Sequence, residues 1–149
     1  MNLNSGAHIK YQLVYHVQWV PKYRYRIFQN EIYRYDYEII VRIVAWNHGM
    51  NIIEITVMPD HVHVIVSAPP TLAPSKIKQL LKGVSSYDFG NLHPNVRLRY
   101  PKGHIFSPGA FFRSVGDVDF ETTRNYVKNQ SIDRYRQIDI AQSRLSRFF

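Results

Sequence analysis

Residues 51–67 read NIIEITVMPDHVHVIVS, and this stretch decides the fold. Two runs rich in β-branched residues are interrupted once, at Pro59-Asp60. Branched side chains suit a pleated strand, and a Pro-Asp pair suits a tight turn. The stretch therefore predicts an antiparallel hairpin of strands 51–58 and 61–67. On the second strand His61 and His63 stand two residues apart. Successive strand side chains alternate faces, so both imidazoles share one face and Val62, Val64 and Val66 share the other. Two imidazoles on one face can reach one cation, and Asp60 can add an oxygen directly or through water. A His-x-His pair taken alone equally fits two exposed ladder residues.

Upstream of the hairpin, Ile32, Tyr35, Ile39, Ile43 and Trp46 recur at three- and four-residue steps. This predicts an amphipathic helix over 31–48 with that stripe as its apolar face. Asn30 serves as N-cap and Gly49 as the C-terminal stop. Before it, residues 8–20 alternate. Ile9, Tyr11, Leu13, Tyr15, Val17 and Trp19 fall on one face, and Lys10, Gln12, His16 and Gln18 on the other. Pro21 ends this strand, and a basic turn follows in which Lys22, Arg24 and Arg26 interleave with Tyr23 and Tyr25.

Downstream, Ala68-Pro69-Pro70 ends the hairpin. Residues 75–87 read as a helix capped by Ser75, with Ile77, Leu80, Leu81 and Val84 buried. Its Lys76, Lys78 and Lys82 form either solvated charges or a phosphate-facing row. A short strand is expected over 95–100, and an aromatic extended segment over 104–115, broken at Pro108-Gly109. Helical patterns follow over about 117–130 and, with a basic character, about 133–147. The order strand, helix, strand, strand, helix, strand is the split βαβ plan of α+β proteins. It predicts a ferredoxin-like or RRM-like antiparallel sheet with helices on one face and added C-terminal helices. Residues 1–149 show no repeat or linker and are read as a single domain.

The chain of 149 residues carries 19 Lys+Arg against 11 Asp+Glu, a net charge of +8 and a pI near 9.8. Such an excess attracts polyanions, nucleic acid before membrane. Eleven Tyr and eight Phe offer rings on which bases can stack. The absence of Cys excludes disulfides, thiolate metal sites and a thiol nucleophile. The N-terminus lacks a signal-peptide layout, and no apolar run approaches the roughly 18 residues of a spanning helix, so the expected location is the cytoplasm.

Tyr126 and Gln130 are four apart on the helix predicted over 117–130, so their side chains project together. A phenol becomes a useful nucleophile when its proton is drawn off or its target is activated, which a cation can do. Gln130 can lend that cation a carboxamide oxygen. Spacing alone favours a packing role for Tyr126.

Five motifs in register change that balance. Met58-Pro59-Asp60-His61-Val62-His63 and the run to Pro70 resemble the HUH motif of the single-tyrosine transposases of small prokaryotic insertion sequences, the IS200-like group. Tyr15-His16-Val17-Gln18-Trp19-Val20-Pro21-Lys22-Tyr23-Arg24 resembles the family's first strand and basic turn. Leu81-Lys82-Gly83-Val84-Ser85-Ser86 resembles its second helix. Phe106-Ser107-Pro108-Gly109 with Arg113-Ser114-Val115-Gly116-Asp117 resembles the approach to the catalytic helix, and Tyr126-Val127-Lys128-Asn129-Gln130 that helix itself. The resemblance spans roughly residues 10–130. Tyr87 and Asp88 depart from it, standing where relatives often carry basic residues, and residues 90–101 are less family-like.

The resemblance implies that Tyr126 attacks single-stranded DNA at a phosphodiester, keeps the 5′ phosphate and frees a 3′ hydroxyl. A second 3′ hydroxyl then reseals the strand. It implies His61, His63 and Gln130 as ligands of Mg²⁺ or Mn²⁺. It implies a substrate hairpin at the element's ends and a homodimer with exchanged catalytic helices, for which the sequence offers a hinge candidate at Gly116-Asp117. Lys22, Arg24, Arg26, Lys76, Lys78, Lys82 and Arg113 are the candidate DNA contacts. The alternatives are a non-catalytic RRM-like nucleic-acid-binding module and an HUH nicking endonuclease.

Overall fold

The computed structural model describes residues 3–6, 10–116 and 119–130. In chain order these form a two-residue ribbon, β1 (Asn4–Ser5) with β2 (Lys10–Tyr11), then β3 (Val14–Trp19) and α1 (Glu31–Asn47). The predicted hairpin follows as β4 (Asn51–Met58) and β5 (His61–Ser67). Next, α2 (Pro74–Lys78) runs through a π-helical stretch (Gln79–Val84) into α3 (Ser85–Leu92), and a single turn, α4 (Pro94–Arg97), follows. The chain ends its described part with β6 (Phe111–Ser114) and α5 (residues 119–130). The basic helix expected at 133–147, Ile9 of the expected first strand and the Asp117 half of the expected hinge lie outside the described residues.

The main sheet has the order β4-β5-β3-β6 with every pair antiparallel, which is the split βαβ topology. Its register puts Val17, Trp19, Ile55, Val57, Val62, Val64 and Val66 on one face, under α1, α2 and α3. Burying each such side chain contributes on the order of 1.5–3 kcal/mol. A buried polar chain ties the layers together. Trp19 Nε1 donates to the Tyr37 hydroxyl at 3.0 Å, which shares a 2.8 Å hydrogen bond with Ser85 Oγ, and Ser85 also bonds the Leu81 carbonyl. The opposite face is not open. Val14 and Ile65 pack there with Phe120 and Val127 of α5 and with Val115. The β4–β5 register slips between Ile52 and Glu54, and Ile53 joins this second cluster.

Four expectations need correction. The stripe Ile32, Tyr35, Ile39, Ile43, Trp46 is the outer face of α1, 41–76% exposed, and the buried face is Tyr37, Val41, Val44 and Ala45. Both faces are apolar at helical spacing, so periodicity could not choose between them; the Trp19–Tyr37–Ser85 chain does. Residues 95–100 form no strand: Pro94 sits at the first position of a helical turn, and the buried side chains Val96 and Tyr100 are four apart. The fourth strand is β6, inside the aromatic segment. The cap of α2 is Ala73 with Pro74 after it, not Ser75, and that helix runs on to Leu92. The first strand is shorter than 8–20, because Lys10–Tyr11 pair with Asn4–Ser5 instead. By contrast, Asn30 accepts from the Tyr33 amide at 3.1 Å and Gly49 has φ 76°, as the expected cap and stop require.

Candidate active site

The hairpin register dictates the site. His63 faces Thr56 on β4 and Gln18 on β3, and His61 faces Met58 at the strand's start. The two imidazoles lie perpendicular with centroids 4.7 Å apart. Each has its Nδ1 engaged. His61 Nδ1 lies 2.8 Å from Asp60 Oδ1 and donates there, which leaves Nε2 as the nitrogen that can face a cation. His63 Nδ1 lies 3.2 Å from Nε2 of His16, a buried contact that either ring can donate. If His63 donates, its Nε2 is likewise left with a lone pair. His63 is 3% exposed, and burial, then the neighbouring His61 and His16, pushes its pKa down to about 3. Burial, aided by Arg113, lowers that of His16 too. At neutral pH His63 and His16 are therefore held uncharged, the state that a metal ligand needs.

Asp60 is placed by two partners. Burial acts to raise its pKa, but the His61 hydrogen bond and the charges of His61 and Arg24 outweigh it and hold the carboxyl low. Arg24 Nη2 reaches Asp60 Oδ2 at 3.4 Å. Asp60 thus orients His61 through its ring nitrogen, which is how carboxylates commonly steer ligating histidines.

Helix α5 lies on the histidine face of the sheet. Arg124 Nε reaches Glu54 Oε2 at 3.5 Å, and one turn later Thr56 Oγ1 donates to the Val127 carbonyl at 2.7 Å. The helix is thereby docked along β4 at Glu54 and Thr56. Tyr126 is 54% exposed, and its ring stands edge-on to His63 with centroids 6.1 Å apart. Gln130 Oε1 is buried with no hydrogen-bond partner among the described residues. Among those residues no three His, Cys, Asp or Glu side chains converge as a metal-binding group. Two imidazoles whose Nδ1 atoms are engaged and an orphaned carboxamide oxygen are donor types that fit a divalent cation, with N and O donors better suited to Mn²⁺ than to Mg²⁺.

Beside Tyr126 opens a cleft of about 380 Å³ lined by His16, Gln18, Phe111, Arg113, Thr122 and Thr123. Arg113 reaches the Thr123 hydroxyl at 3.4 Å there and is the one candidate DNA contact that lines this cleft. Arg24 is tied to Asp60, and Arg26 is exposed in the same turn. Lys76 and Lys78 lie on α2, in the layer across the sheet from α5. Lys22 and Lys82 line a second cleft of about 390 Å³ with Ser86 and His104. The Lys82 ammonium donates to the carbonyls of Ser107, Pro108 and Gly109 at 2.6, 2.6 and 3.2 Å, which makes it a clamp on the loop before β6.

A family model described as "Transposase IS200 like" matches residues 9–130. The chain belongs to the IS200-like transposase family. It is 28% identical over 130 residues to the ISDra2 transposase TnpA of Deinococcus radiodurans, covering 87% of this chain and 92% of that one. It is 27% identical over 126 residues to the IS200 transposase of Salmonella typhimurium, covering 85% and 82%. A crystal structure of a D. radiodurans protein assigned as a transposase superposes with a TM-score of 0.69 at 26% identity, over 85% of this chain and 97% of that one. A REP-associated tyrosine transposase bound to a REP hairpin shares the fold, with a TM-score of 0.59 at 12% identity, over 87% and 74%. This family member is thus a transposase, an enzyme that cuts DNA, with an α+β fold built on an antiparallel sheet. No helix among its described residues is long and apolar enough to cross a membrane.

Three residues of the site were not legible as such in the transposase sequence. His16 has no partner nearby in sequence and meets His63 only through the β3–β5 pairing. Arg24 reads as a DNA contact, yet holds Asp60. Thr56 carries no motif, and its role follows from α5 docking on β4.

Proposed function

We propose that this transposase cleaves and rejoins single-stranded DNA at its element's ends with Tyr126 as nucleophile. The observation that carries the reading is the Tyr126 ring, exposed to the cleft and standing 6.1 Å edge-on from His63 on a helix anchored through Thr56. The Tyr126 oxygen attacks phosphorus and gives up its proton. The bond from phosphorus to the 3′ oxygen breaks, and that oxygen leaves as a hydroxyl after taking a proton. The 5′ phosphate stays on tyrosine. In the reverse step another 3′ hydroxyl displaces Tyr126, so one ester replaces another and no nucleotide cofactor is consumed. His61, His63 and Gln130 would hold Mg²⁺ or Mn²⁺, which when bound supplies Lewis-acid polarisation of the phosphate and favours the phenolate. Asp60 and His16 keep the two imidazoles oriented. Arg113 offers a bidentate donor to a phosphate in the cleft.

The substrate is proposed to be a DNA hairpin with flanking single strand, and the active species a homodimer. The resemblance implies exchanged helices, so that Tyr126 acts with His61 and His63 of the partner subunit. The position of Tyr126 beside its own His63 favours the same pairing within one chain. The deciding experiment incubates labelled single-stranded DNA from the element's ends with protein and Mn²⁺ or Mg²⁺ on a denaturing gel. A covalent adduct is expected with the native chain and not with Tyr126→Phe. Cleavage without adduct in both would mean a water nucleophile, and binding without cleavage a non-catalytic module. If the adduct forms undiminished with chelator present, the metal assignment fails.

A further inference from the structure

The turn after β3 carries a second feature that the chemistry above does not use. Tyr23 and Tyr25 are large rings held in solvent, 56% and 38% exposed. They are organised on Tyr100, which is buried beneath them. The Tyr23 and Tyr100 rings are within 10° of parallel at 6.3 Å, and Tyr25 lies 5.5 Å from Tyr100 and 5.3 Å from Tyr23. Cations surround the cluster: Lys22 Nζ is 5.6 Å from the Tyr23 ring centre and Arg99 is 5.3 Å from that of Tyr25. Arg24 and Arg26 are exposed in the same turn. The backbone is unusual as well. Tyr23 and Arg24 have φ of 62° and 52°, a left-handed conformation that L residues seldom adopt. Two consecutive non-glycine residues are held there, and the outcome is a displayed ring followed by a guanidinium on Asp60. Finally, the Tyr100 hydroxyl is buried with no hydrogen-bond partner among the described residues, and burial raises its pKa to about 12, so it stays a donor in search of an acceptor.

We propose that Tyr23, Tyr25 and Tyr100 form a base-stacking platform that holds one unpaired nucleotide of single-stranded DNA beside the histidine pair, with Tyr23 as the ring that takes the base. The proposal rests on the single-strand reading above. Exposed rings rimmed by cations match the chemistry of unpaired nucleotides, a π face on one side and a phosphate on the other. The Arg24–Asp60–His61 chain, at 3.4 and 2.8 Å, links the turn that carries the platform to the histidine strand. A base held there fixes the register of the strand that runs on to Tyr126.

The test reads binding alone, in the full chain carrying Tyr126→Phe so that no adduct forms. Fluorescence anisotropy is measured with a labelled single-stranded oligonucleotide of the element's end, and with versions in which each unpaired nucleotide in turn is abasic. Tyr23→Ala is expected to weaken binding about tenfold, which corresponds to about 1.4 kcal/mol. Tyr23→Phe is expected to bind as the parent does. One abasic position should weaken the parent by the same factor and remove the difference between the parent and Tyr23→Ala. Equal binding by Tyr23→Ala and parent on every oligonucleotide overturns the platform. So does a Tyr23→Ala loss that no abasic position diminishes, since that is a damaged loop and not a lost base contact. A parent that binds no single-stranded DNA at all overturns the preceding reading and this one with it.

Discussion

Acid should loosen this protein through His63 in a way that can be calculated. In the folded chain burial and two neighbouring imidazoles hold the His63 pKa at about 3, whereas an unfolded histidine titrates near 6.5. The folded value lies below the unfolded one, so between them the unfolded chain binds more protons. Stability is then fully present above about pH 6.5 and declines as pH falls toward 3. At pH 5 the unfolded imidazole is almost fully protonated and the folded one is not. The difference is about 1.5 pH units, or about 2 kcal/mol lost relative to pH 7.5. His16, lowered by burial and by Arg113, adds a loss of the same sign. The assay is urea unfolding of the metal-free chain, in chelator, at a series of pH values from 7.5 to 5. His63→Gln is run in parallel, so that titrating groups outside the histidine cluster cancel in the difference. The native chain should lose about 2 kcal/mol more than the variant over this range. Parallel pH dependences would falsify the picture of a buried, neutral His63.

Other consequences follow from particular contacts. Asp60→Ala and His16→Leu should each weaken Mn²⁺ binding by about ten- to a hundredfold in calorimetry of the metal alone, whereas His16→Gln, which keeps an acceptor, should recover most of it. Unchanged affinity would remove both residues from a role in orienting the histidines. Thr56→Val should cost about 1–2 kcal/mol in urea unfolding by leaving the Val127 carbonyl without its partner, and should slow adduct formation by letting Tyr126 wander. Lys82→Met should cost about 1 kcal/mol by releasing loop carbonyls that water can then reach, yet leave the salt dependence of DNA binding as it was. Arg113→Ala should instead reduce the slope of log affinity against log salt by about 0.7, the share of one single-strand phosphate. The reverse pattern would exchange the two roles.

The hairpin with its paired histidines was legible in the sequence because it depends on local chemistry. Pro59-Asp60 makes the turn, and a period of two places His61 and His63 together whatever packs around them. The helical period of the segment that carries Tyr126 and Gln130 is local in the same way, as are the cap at Asn30 and the stop at Gly49. Everything that required choosing between faces or partners was not legible. The outer stripe of α1 is as apolar and as periodic as the buried one, and only the contact of Tyr37 with Trp19 and Ser85 decides which turns inward. Residues 95–100 alternate like a strand, but the pairing partner beside β3 is Phe111–Ser114. His16 looks solitary until antiparallel pairing brings it, 47 residues along the chain, within 3.2 Å of His63. Asp60 and Arg24 read as a possible ligand and a possible phosphate contact, and the fold makes them one chain of support for His61. Local periodicity sets which side chains share a face. Which face is covered, and by what, is a free-energy comparison among long-range packings that only the assembled tertiary structure makes.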